Sequence, residues 1–125
     1  MKLLLIEDDL PTVESIKLCF EIYESDSTVF STDKGLEALR LLKNETFDGV
    51  IVDLGLPDID GTVVIEQLRN FSQIPVVVLS ARQNPESISK ALELGANHYI
   101  VKPFNYRLLL NKLHEILNQP THVVV

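Results

Sequence analysis

The chain has 125 residues, 46% of them hydrophobic, which is enough for one compact domain with a core and too few for two ordinary domains. Its formal net charge of -7, without a run of basic residues, argues against direct binding of this segment to nucleic acid or an anionic membrane. The lone Cys19 in an apolar stretch and the short N-terminal apolar run, which lacks the length of a signal peptide or a membrane span, predict a cytoplasmic protein with a buried thiol.

Strand-length apolar runs alternate with helix-length segments. The runs are residues 3–6, 28–30, 50–52, 76–79 and 99–101. Most of them are continuously apolar rather than alternating, which is typical of parallel strands that are covered on both faces. The order of strand then helix, five times over, predicts an α/β fold, a doubly wound (βα)5 three-layer sandwich with a central five-stranded parallel sheet.

Apolar residues spaced by three and four predict the buried faces of four helices. The four stripes are Val13, Ile16, Phe20 and Tyr23; Leu36, Leu39 and Leu42; Ile88, Ala91, Leu92 and Gly95; and Leu109, Leu113, Ile116 and Leu117. Capping residues predict where helices begin. The predicted openings are Asp60-Gly61 for the third helix, Asn84-Pro85 for the fourth and Phe104-Asn105 for the fifth. Gly95 is expected to end the fourth helix.

The last residues are expected to lie outside the domain. Gln119-Pro120-Thr121 should break the fifth helix, and the valines at 123–125 are typical of a strand without a partner. We therefore expect a domain at residues 1–119, with residues 120–125 forming a linker and the beginning of a C-terminal output domain. A frayed C-terminus is the alternative.

Polar residues follow four of the predicted strands at their carboxyl ends, where open parallel sheets bind ligands. They are Glu7, Asp8 and Asp9 after the first strand, Asp53 after the third, Ser80 after the fourth and Lys102 after the fifth. Carboxylates from different strands that meet in one crevice repel one another unless a cation lies among them. An all-oxygen set without histidine or cysteine favours Mg²⁺, with Mn²⁺ as the alternative.

Taken singly, these residues have structural explanations. Asp8 or Asp9 could cap the first helix, and Asp53 could close a strand at a turn. Taken together with a cation, they indicate phosphoryl transfer, with Asp53 as the nucleophile that forms an aspartyl phosphate. Lys102 would then supply a compact positive charge and Ser80 a hydroxyl donor to the phosphoryl oxygens.

Four blocks of sequence, in this order and at this spacing, closely resemble the receiver domains of two-component response regulators. They are residues 4–9, 52–61, 79–81 and 101–104, and the resemblance extends from Lys2 to about Leu117. It implies the flavodoxin-like strand order 2-1-3-4-5. It also implies a signalling switch in a phosphorelay rather than a turnover enzyme. Such a switch takes a phosphoryl group from a histidine kinase with Mg²⁺ as cofactor, and hydrolyses its own acyl phosphate only slowly.

The resemblance further implies which residues bind the phosphoryl group and the metal. Asp53 is the phosphoacceptor and a metal ligand. Asp8 is the direct acidic ligand, the backbone carbonyl of Gly55 completes the protein ligands, and Glu7 acts through a water molecule. Asp9 is a bystander in this alignment.

By the same resemblance, Lys102 contacts the phosphoryl oxygen and precedes a cis peptide bond to Pro103. Ser80 and Tyr99 form the conformational switch. When Ser80 turns toward the phosphoryl group, it vacates space that the ring of Tyr99 fills.

The chain resembles most closely the receivers of the OmpR/PhoB subfamily, which carry a winged-helix DNA-binding domain. This implies transcription regulation through the output domain, and a homodimer formed by the fourth helix, fifth strand and fifth helix after phosphorylation. The subfamily often has an Asp-Asp pair where this chain has Asn97 and His98, so one salt-bridge partner on each side is missing. The remaining charged residues on that face are Lys90, Glu93, Arg107 and Lys112.

Other classes fit the residues less well. Phosphatases of the haloacid dehalogenase type need a second aspartate two residues beyond the nucleophile, and nuclease-type topoisomerase-primase domains need a similar pair, but position 55 is glycine. A flavodoxin-like cofactor binder would place its phosphate loop where residues 7–9 concentrate negative charge. A receiver that folds but is not phosphorylated is the remaining alternative, and the intact acids, Ser80 and Lys102 count against it.

Overall fold

The computed structural model describes residues 1–117 as one α/β domain. Its strands are β1 (Lys2–Ile6), β2 (Thr28–Thr32), β3 (Gly49–Val52), β4 (Val76–Ser80) and β5 (His98–Val101). Its helices are α1 (Leu10–Tyr23), α2 (Gly35–Asn44), α3 (Gly61–Leu68), α4 (Pro85–Leu94) and α5 (Tyr106–Leu117). All strands pair in parallel in the order β2-β1-β3-β4-β5, so the predicted fold and strand order are confirmed. The predicted domain end at 119 and the expected linker at 120–125 lie outside the described residues.

The sheet is buried on both faces because its central strands are apolar at nearly every position. In β1, Leu4 and Ile6 join one core cluster, and Leu3 and Leu5 join the other. β3 and β4 alternate in the same way, as the period of two along a strand requires. The first cluster includes residues of α2, α3 and α4, and the second includes residues of α1 and α5. The helices therefore cover the sheet as two layers, as predicted.

Three residues of the predicted helix stripes are exposed rather than buried: Tyr23, Leu36 and, on α4, Leu92. Tyr23, the last residue of α1, is 69% exposed, and Leu36, in the first turn of α2, is 58% exposed. In α2 the buried positions are instead Gly35, Ala38 and Leu39. A Cβ at Gly35 would lie 2.7 Å from a side-chain carbon of Ile59, so the small residue allows the close approach. The stripe prediction failed because it weighted large apolar residues over small ones.

The helix boundaries follow the predicted signals closely. Asp60 caps α3 by accepting from the amide of Thr62, and Pro85 lies at the start of α4 after Asn84. Gly95 ends α4 with φ of 119°, a left-handed conformation that favours glycine. α5 begins at Tyr106, directly after the predicted Phe104-Asn105 opening. Cys19 is buried, as expected. Among the described residues, no helix is both long and apolar enough to cross a membrane.

Candidate functional site

The parallel register brings the ends of four strands to one edge of the sheet. Ile6 pairs with Val52, and Ser80 pairs with Val101. The backbone continues this register by one residue, because the amide of Asp53 donates to the carbonyl of Ile6 at 2.9 Å and the amide of Lys102 donates to the carbonyl of Ser80 at 2.9 Å. The side chains that follow the strands are therefore held at neighbouring positions by the sheet itself.

Three carboxylates converge at this edge. Glu7, Asp8 and Asp53 each offer a carboxylate oxygen, and these oxygens all lie within 4.8 Å of one another. The ammonium of Lys102 lies 2.5 Å from Oε1 of Glu7 and 3.6 Å from Oδ2 of Asp53. Lys102 thus lies in salt-bridge range of two of the three acids, and the cluster has more acidic than basic groups.

Glu7 is a buried acid with a raised pKa. It is only 2% exposed, and burial together with the negative charge of Asp53 raises its pKa to about 7, although the hydrogen bond from Lys102 acts in the opposite direction. Its Oε2 accepts from the amides of Asp8 and Asp9, so both of its oxygens have donors within the chain. Burial alone would lower the pKa of Lys102, but the hydrogen bond to Glu7 and the charges of Asp53 and Glu7 outweigh it and raise that pKa.

The two acids after Glu7 have different surroundings. Asp9 is the N-cap of α1, where its side chain accepts from the amide and the hydroxyl of Thr12. Those hydrogen bonds lower the pKa of Asp9. Asp8 is exposed and belongs to the carboxylate cluster, whereas Asp9 does not. The cap alternative considered for both acids therefore applies to Asp9.

The loop after β3 is anchored at both ends. Asp58 accepts from the amides of Gly35 at 2.8 Å and Leu36 at 2.9 Å, so a residue of this loop caps α2. At the far end, the amide of Gly61 donates to the carbonyl of Leu54 at 2.7 Å. A Cβ at Gly61 would lie 2.4 Å from the carbonyl oxygen of Asp53, so only glycine permits this approach. These contacts fix the backbone that carries Asp53.

Ser80 and Tyr99 meet at the residue two positions after Ser80. Ser80 is 1% exposed, and its Oγ accepts from the amide of Arg82 at 3.2 Å. The hydroxyl of Tyr99 donates to the carbonyl of Arg82 at 2.6 Å, while its ring packs against the core cluster of α2, α3 and α4. The guanidinium of Arg82 lies 2.5 Å from Oδ1 of Asp60. The Lys102-Pro103 peptide bond, on the other side of the site, is cis.

The face formed by α4, β5 and α5 mixes apolar and charged side chains. Leu92 and Leu108 are each 43% exposed. His98 lies 3.7 Å from Glu115 of α5. The side chain of Asn97, in contrast, is hydrogen-bonded within the domain. Its Oδ1 accepts from the amide of Val76 at 2.8 Å and from the guanidinium of Arg69 at 3.4 Å. The side chain of Asn97 is therefore bound to the start of β4 and to the residue that caps the end of α3.

One large surface groove lies away from the acids. It encloses about 620 Å³ between the end of α1 and α5, where Tyr23, Tyr106 and His114 contribute to its walls. We assign the chemistry to the strand ends instead, because the convergent charges and the strongly shifted pKa of Glu7 are found there.

Sequence reasoning missed three residues that shape the site. Asp58 and Gly61 were noted only as parts of a motif or a helix opening, and Arg82 was not singled out. The sequence places Arg82 two residues after Ser80, which could have indicated a role near the site. An isolated arginine in a loop is usually solvated, however. Its ion pair joins residues 22 positions apart, which local patterns do not reveal.

Comparison with known proteins gives one family over most of the chain. The model of the response regulator receiver domain matches residues 3–114. The transcriptional regulatory protein KdpE of Staphylococcus aureus is 38% identical over 83% of this chain and 44% of its own length. The transcriptional regulatory protein CusR of Escherichia coli is 34% identical over 100% of this chain and 55% of its own length. The chain thus spans about half the length of these curated relatives.

Solved structures agree with that family. A two-component response regulator from Clostridium difficile superposes with a TM-score of 0.90 at 25% identity, covering 98% of this chain and 99% of that chain. The likeness includes all five strands and helices described above, because it extends over nearly the full length of both chains.

Proposed function

Since this chain belongs to the response regulator receiver domain family, we propose that Asp53 accepts a phosphoryl group and thereby switches the conformation of the domain. The curated relatives are transcriptional regulators, which supports a signalling role rather than metabolic catalysis. The donor in this proposal is a histidine kinase, and the domain acts in the cytoplasm. The proposal also includes phosphorylation by a small acyl phosphate and slow hydrolysis of the product.

The observation that carries the proposal is the cluster of three carboxylates around one lysine. Glu7, Asp8 and Asp53 have oxygens within 4.8 Å of one another, and Lys102 bridges two of these acids. The side chain of Asp53 is 12% exposed, so it is reachable from solvent but held by its surroundings. A nucleophile for phosphoryl transfer needs both properties, because position and charge stabilisation account for most of the catalysis.

Magnesium fits the donor set of the cluster. The three acids offer only oxygen donors, and their oxygens lie within 4.8 Å of one another, which is the kind of donor set that Mg²⁺ prefers. We assign Asp8, Asp53 and the carbonyl of Gly55 as ligands, with Glu7 acting through water, because both oxygens of Glu7 already have donors in the chain. When bound, Mg²⁺ would neutralise charge that develops on the transferred phosphoryl oxygens.

The remaining steps belong to the side chains. An oxygen of Asp53 attacks phosphorus, the bond from phosphorus to the donor's nitrogen breaks, and an acyl phosphate forms on Asp53. The ammonium of Lys102 lies 3.6 Å from Oδ2 of Asp53, so it can form an ion pair with an oxygen of the phosphoryl group on Asp53. The oxygen of Ser80 already accepts from Arg82, which leaves its hydroxyl proton free to be donated to a phosphoryl oxygen.

Tyr99 carries the signal away from the site in this proposal. Its ring is half-buried against the core cluster of α2, α3 and α4, and its hydroxyl donates to the carbonyl of Arg82 in the loop that follows Ser80. A shift of Ser80 toward the phosphoryl group therefore changes the packing and hydrogen bonding available to Tyr99. We propose that this face then forms a homodimer and that a C-terminal domain binds DNA.

Intact-mass spectrometry tests the phosphoacceptor. After incubation of residues 1–125 with acetyl phosphate and Mg²⁺, we expect the mass of one phosphoryl group on the wild type and none on Asp53→Asn. Glu66→Gln, which alters an exposed acid on α3, is the matched control and should be labelled normally. Chelation of the metal should abolish labelling of the wild type.

Two results would contradict the proposal. Persistent labelling of Asp53→Asn would place the acceptor elsewhere. A folded wild type that gains no mass under any condition would indicate a receiver that works without phosphorylation.

A further inference from the structure

The loop between β4 and α4 is held by one residue through three separate contacts. The amide of Arg82 donates to Ser80, its carbonyl accepts from Tyr99, and its guanidinium binds Asp60. The partners belong to β4, to β5 and to the N-cap of α3. Arg82 therefore connects both proposed switch residues to the helix that follows the Asp53 loop.

The ion pair between Asp60 and Arg82 is well placed to hold this arrangement. Both side chains are partly buried, at 35% and 40% exposure, and the atoms are 2.5 Å apart. The pKa of Arg82 is raised by its hydrogen bond to Asp60 and further by the charge of Asp53. Burial alone would raise the pKa of Asp60, but Arg82 and Thr62 lower it. The pair is thus an electrostatically favourable contact at the rim of the site.

The guanidinium faces Asp60 and not the phosphoacceptor. Within residues 1–117, the cation in salt-bridge range of Asp53 is Lys102, and Arg82 makes its ion pair with Asp60 alone. The backbone of Arg82, in contrast, is hydrogen-bonded to both switch residues. Its contribution to the site is therefore made through the position of its backbone.

We propose that Arg82 is a positioning residue, whose ion pair with Asp60 holds the loop after β4 so that Ser80 and Tyr99 are preorganised for a phosphoryl group on Asp53. This inference rests on the proposed function. With the ion pair intact, Ser80 keeps its proton available to the phosphoryl group and Tyr99 stays packed. Without it, the loop samples other positions, and the fraction of molecules that are competent to bind falls.

Beryllofluoride with Mg²⁺, a stable mimic of a phosphoryl group, provides the test on the chain of residues 1–125. Its dissociation constant is measured by NMR titration for the wild type, Asp60→Asn, Arg82→Gln and the double variant. Asparagine caps a helix as well as aspartate, so Asp60→Asn removes the charge and retains the start of α3. We expect each single variant to bind about two- to fivefold more weakly, as the loss of one partly exposed ion pair implies.

The double variant and two controls separate positioning from general damage. The double variant should bind no more weakly than the weaker single variant, because both substitutions remove the same contact. Arg82→Lys retains the charge and should recover most of the affinity. Arg40→Gln removes an exposed pair with Glu37 on α2 and should leave the affinity unchanged.

Tyr99 supplies a readout that simple destabilisation would not move. In Asp60→Asn and Arg82→Gln without beryllofluoride, we expect the ring resonances of Tyr99 to shift toward those of a solvent-exposed tyrosine, while resonances of the core remain in place. The hydrogen bond from Tyr99 to Arg82 and the packing of its ring are the contacts that loosen.

Each contrary result has a distinct meaning. Unchanged affinity in both single variants, or additive losses in the double variant, would overturn the positioning role while leaving the phosphoacceptor intact. Tighter binding by Asp60→Asn would overturn it too, since a released Arg82 would then be binding the ligand directly. A folded wild type that does not bind beryllofluoride would overturn the proposed function and this inference together.

Discussion

At the scale of single residues, acids that look alike in the sequence have different partners in the fold. Glu7 is buried and bound by Lys102 and two backbone amides, Asp8 is exposed, and Asp9 caps α1. Asp9 is therefore a structural cap, whereas Glu7 and Asp8 belong to the carboxylate cluster. Asp53 completes the cluster from β3.

Lys102 should stabilise the fold as well as serve the site. Lys102→Met leaves the buried carboxylate of Glu7 without its cation, so we expect the free energy of unfolding to fall by about 2 kcal/mol. Urea denaturation at pH 7 with a chelator present measures the change. The double variant Glu7→Gln/Lys102→Met should regain part of the loss, and a double variant as unstable as the sum of both single variants would contradict the pairing.

Gly61 and Gly55 offer a matched pair of substitutions. Gly61→Ala places a methyl group against the backbone of Asp53 and Leu54, so we expect a loss of about 2 kcal/mol or more in unfolding free energy. Gly55→Ala meets no atom within 4 Å and should fold with nearly wild-type stability. Thermal unfolding of both variants provides the comparison. Equal stability of the two variants would show that the close approach at Gly61 is easily relieved.

At the scale of elements, α2 begins with a cap supplied by another part of the chain. Its own N-cap residue, Lys34, makes no side-chain hydrogen bond to the helix, and Asp58 accepts from the first amides instead. The same hydrogen bonds outweigh the effect of burial and lower the pKa of Asp58. The loop after β3 is thereby tied to a helix on the same side of the sheet.

This cap predicts a stability loss that depends on pH. A carboxylate whose pKa is lowered by folding contributes stability above its unfolded pKa, near 3.8, and loses it as the pH falls through the lower folded value. Asp58→Ala should therefore lower the free energy of unfolding by about 1 kcal/mol at pH 7, and by progressively less below pH 3.8.

Urea denaturation at several pH values tests this prediction. Asp26→Ala, which removes an exposed acid from a turn, is the control and should change stability little at any pH. An effect of Asp58→Ala that is the same in acid and at neutral pH would mean that the carboxylate charge plays no part in the cap.

At the scale of the whole molecule, the α4–β5–α5 face has exposed leucines beside its charged residues. The side chain of Asn97 accepts a hydrogen bond from the amide of Val76, while Glu115 lies near both His98 and Lys112. Leu92 and Leu108 supply an apolar surface on α4 and α5. The proposed dimer would consequently depend more on apolar contact than on a charge ladder.

Replacing one of these leucines should weaken the proposed dimer. In the presence of beryllofluoride and Mg²⁺, we expect Leu92→Glu to raise the dimer dissociation constant by about tenfold or more, because it buries a charge in an apolar contact. Sedimentation velocity measures the association. Leu18→Glu, at a 54% exposed position on α1, is the control and should not alter it. A wild type that stays monomeric with the ligand bound would contradict the dimer.

The order of the elements and the site acids were predictable from the chain alone. Five strand-length apolar runs, most of them continuous, indicate a sheet that is covered on both faces, and a parallel sheet requires its strand ends to meet at one edge. Glu7, Asp53, Ser80 and Lys102 follow directly from that requirement. The caps at Asp60 and Gly95 are local signals, so they were predictable as well.

Contacts between distant segments were decided only by the tertiary structure. The burial of Gly35 and Ala38 in place of Leu36 depends on how closely α2 approaches α3, and the pairing of Arg82 with Asp60 depends on the relative position of two loops. Periodicity within one segment determines which residues can face a core. Which side chain then meets which partner is decided by packing between elements, since that packing sets the distances on which steric fit and electrostatic interactions depend.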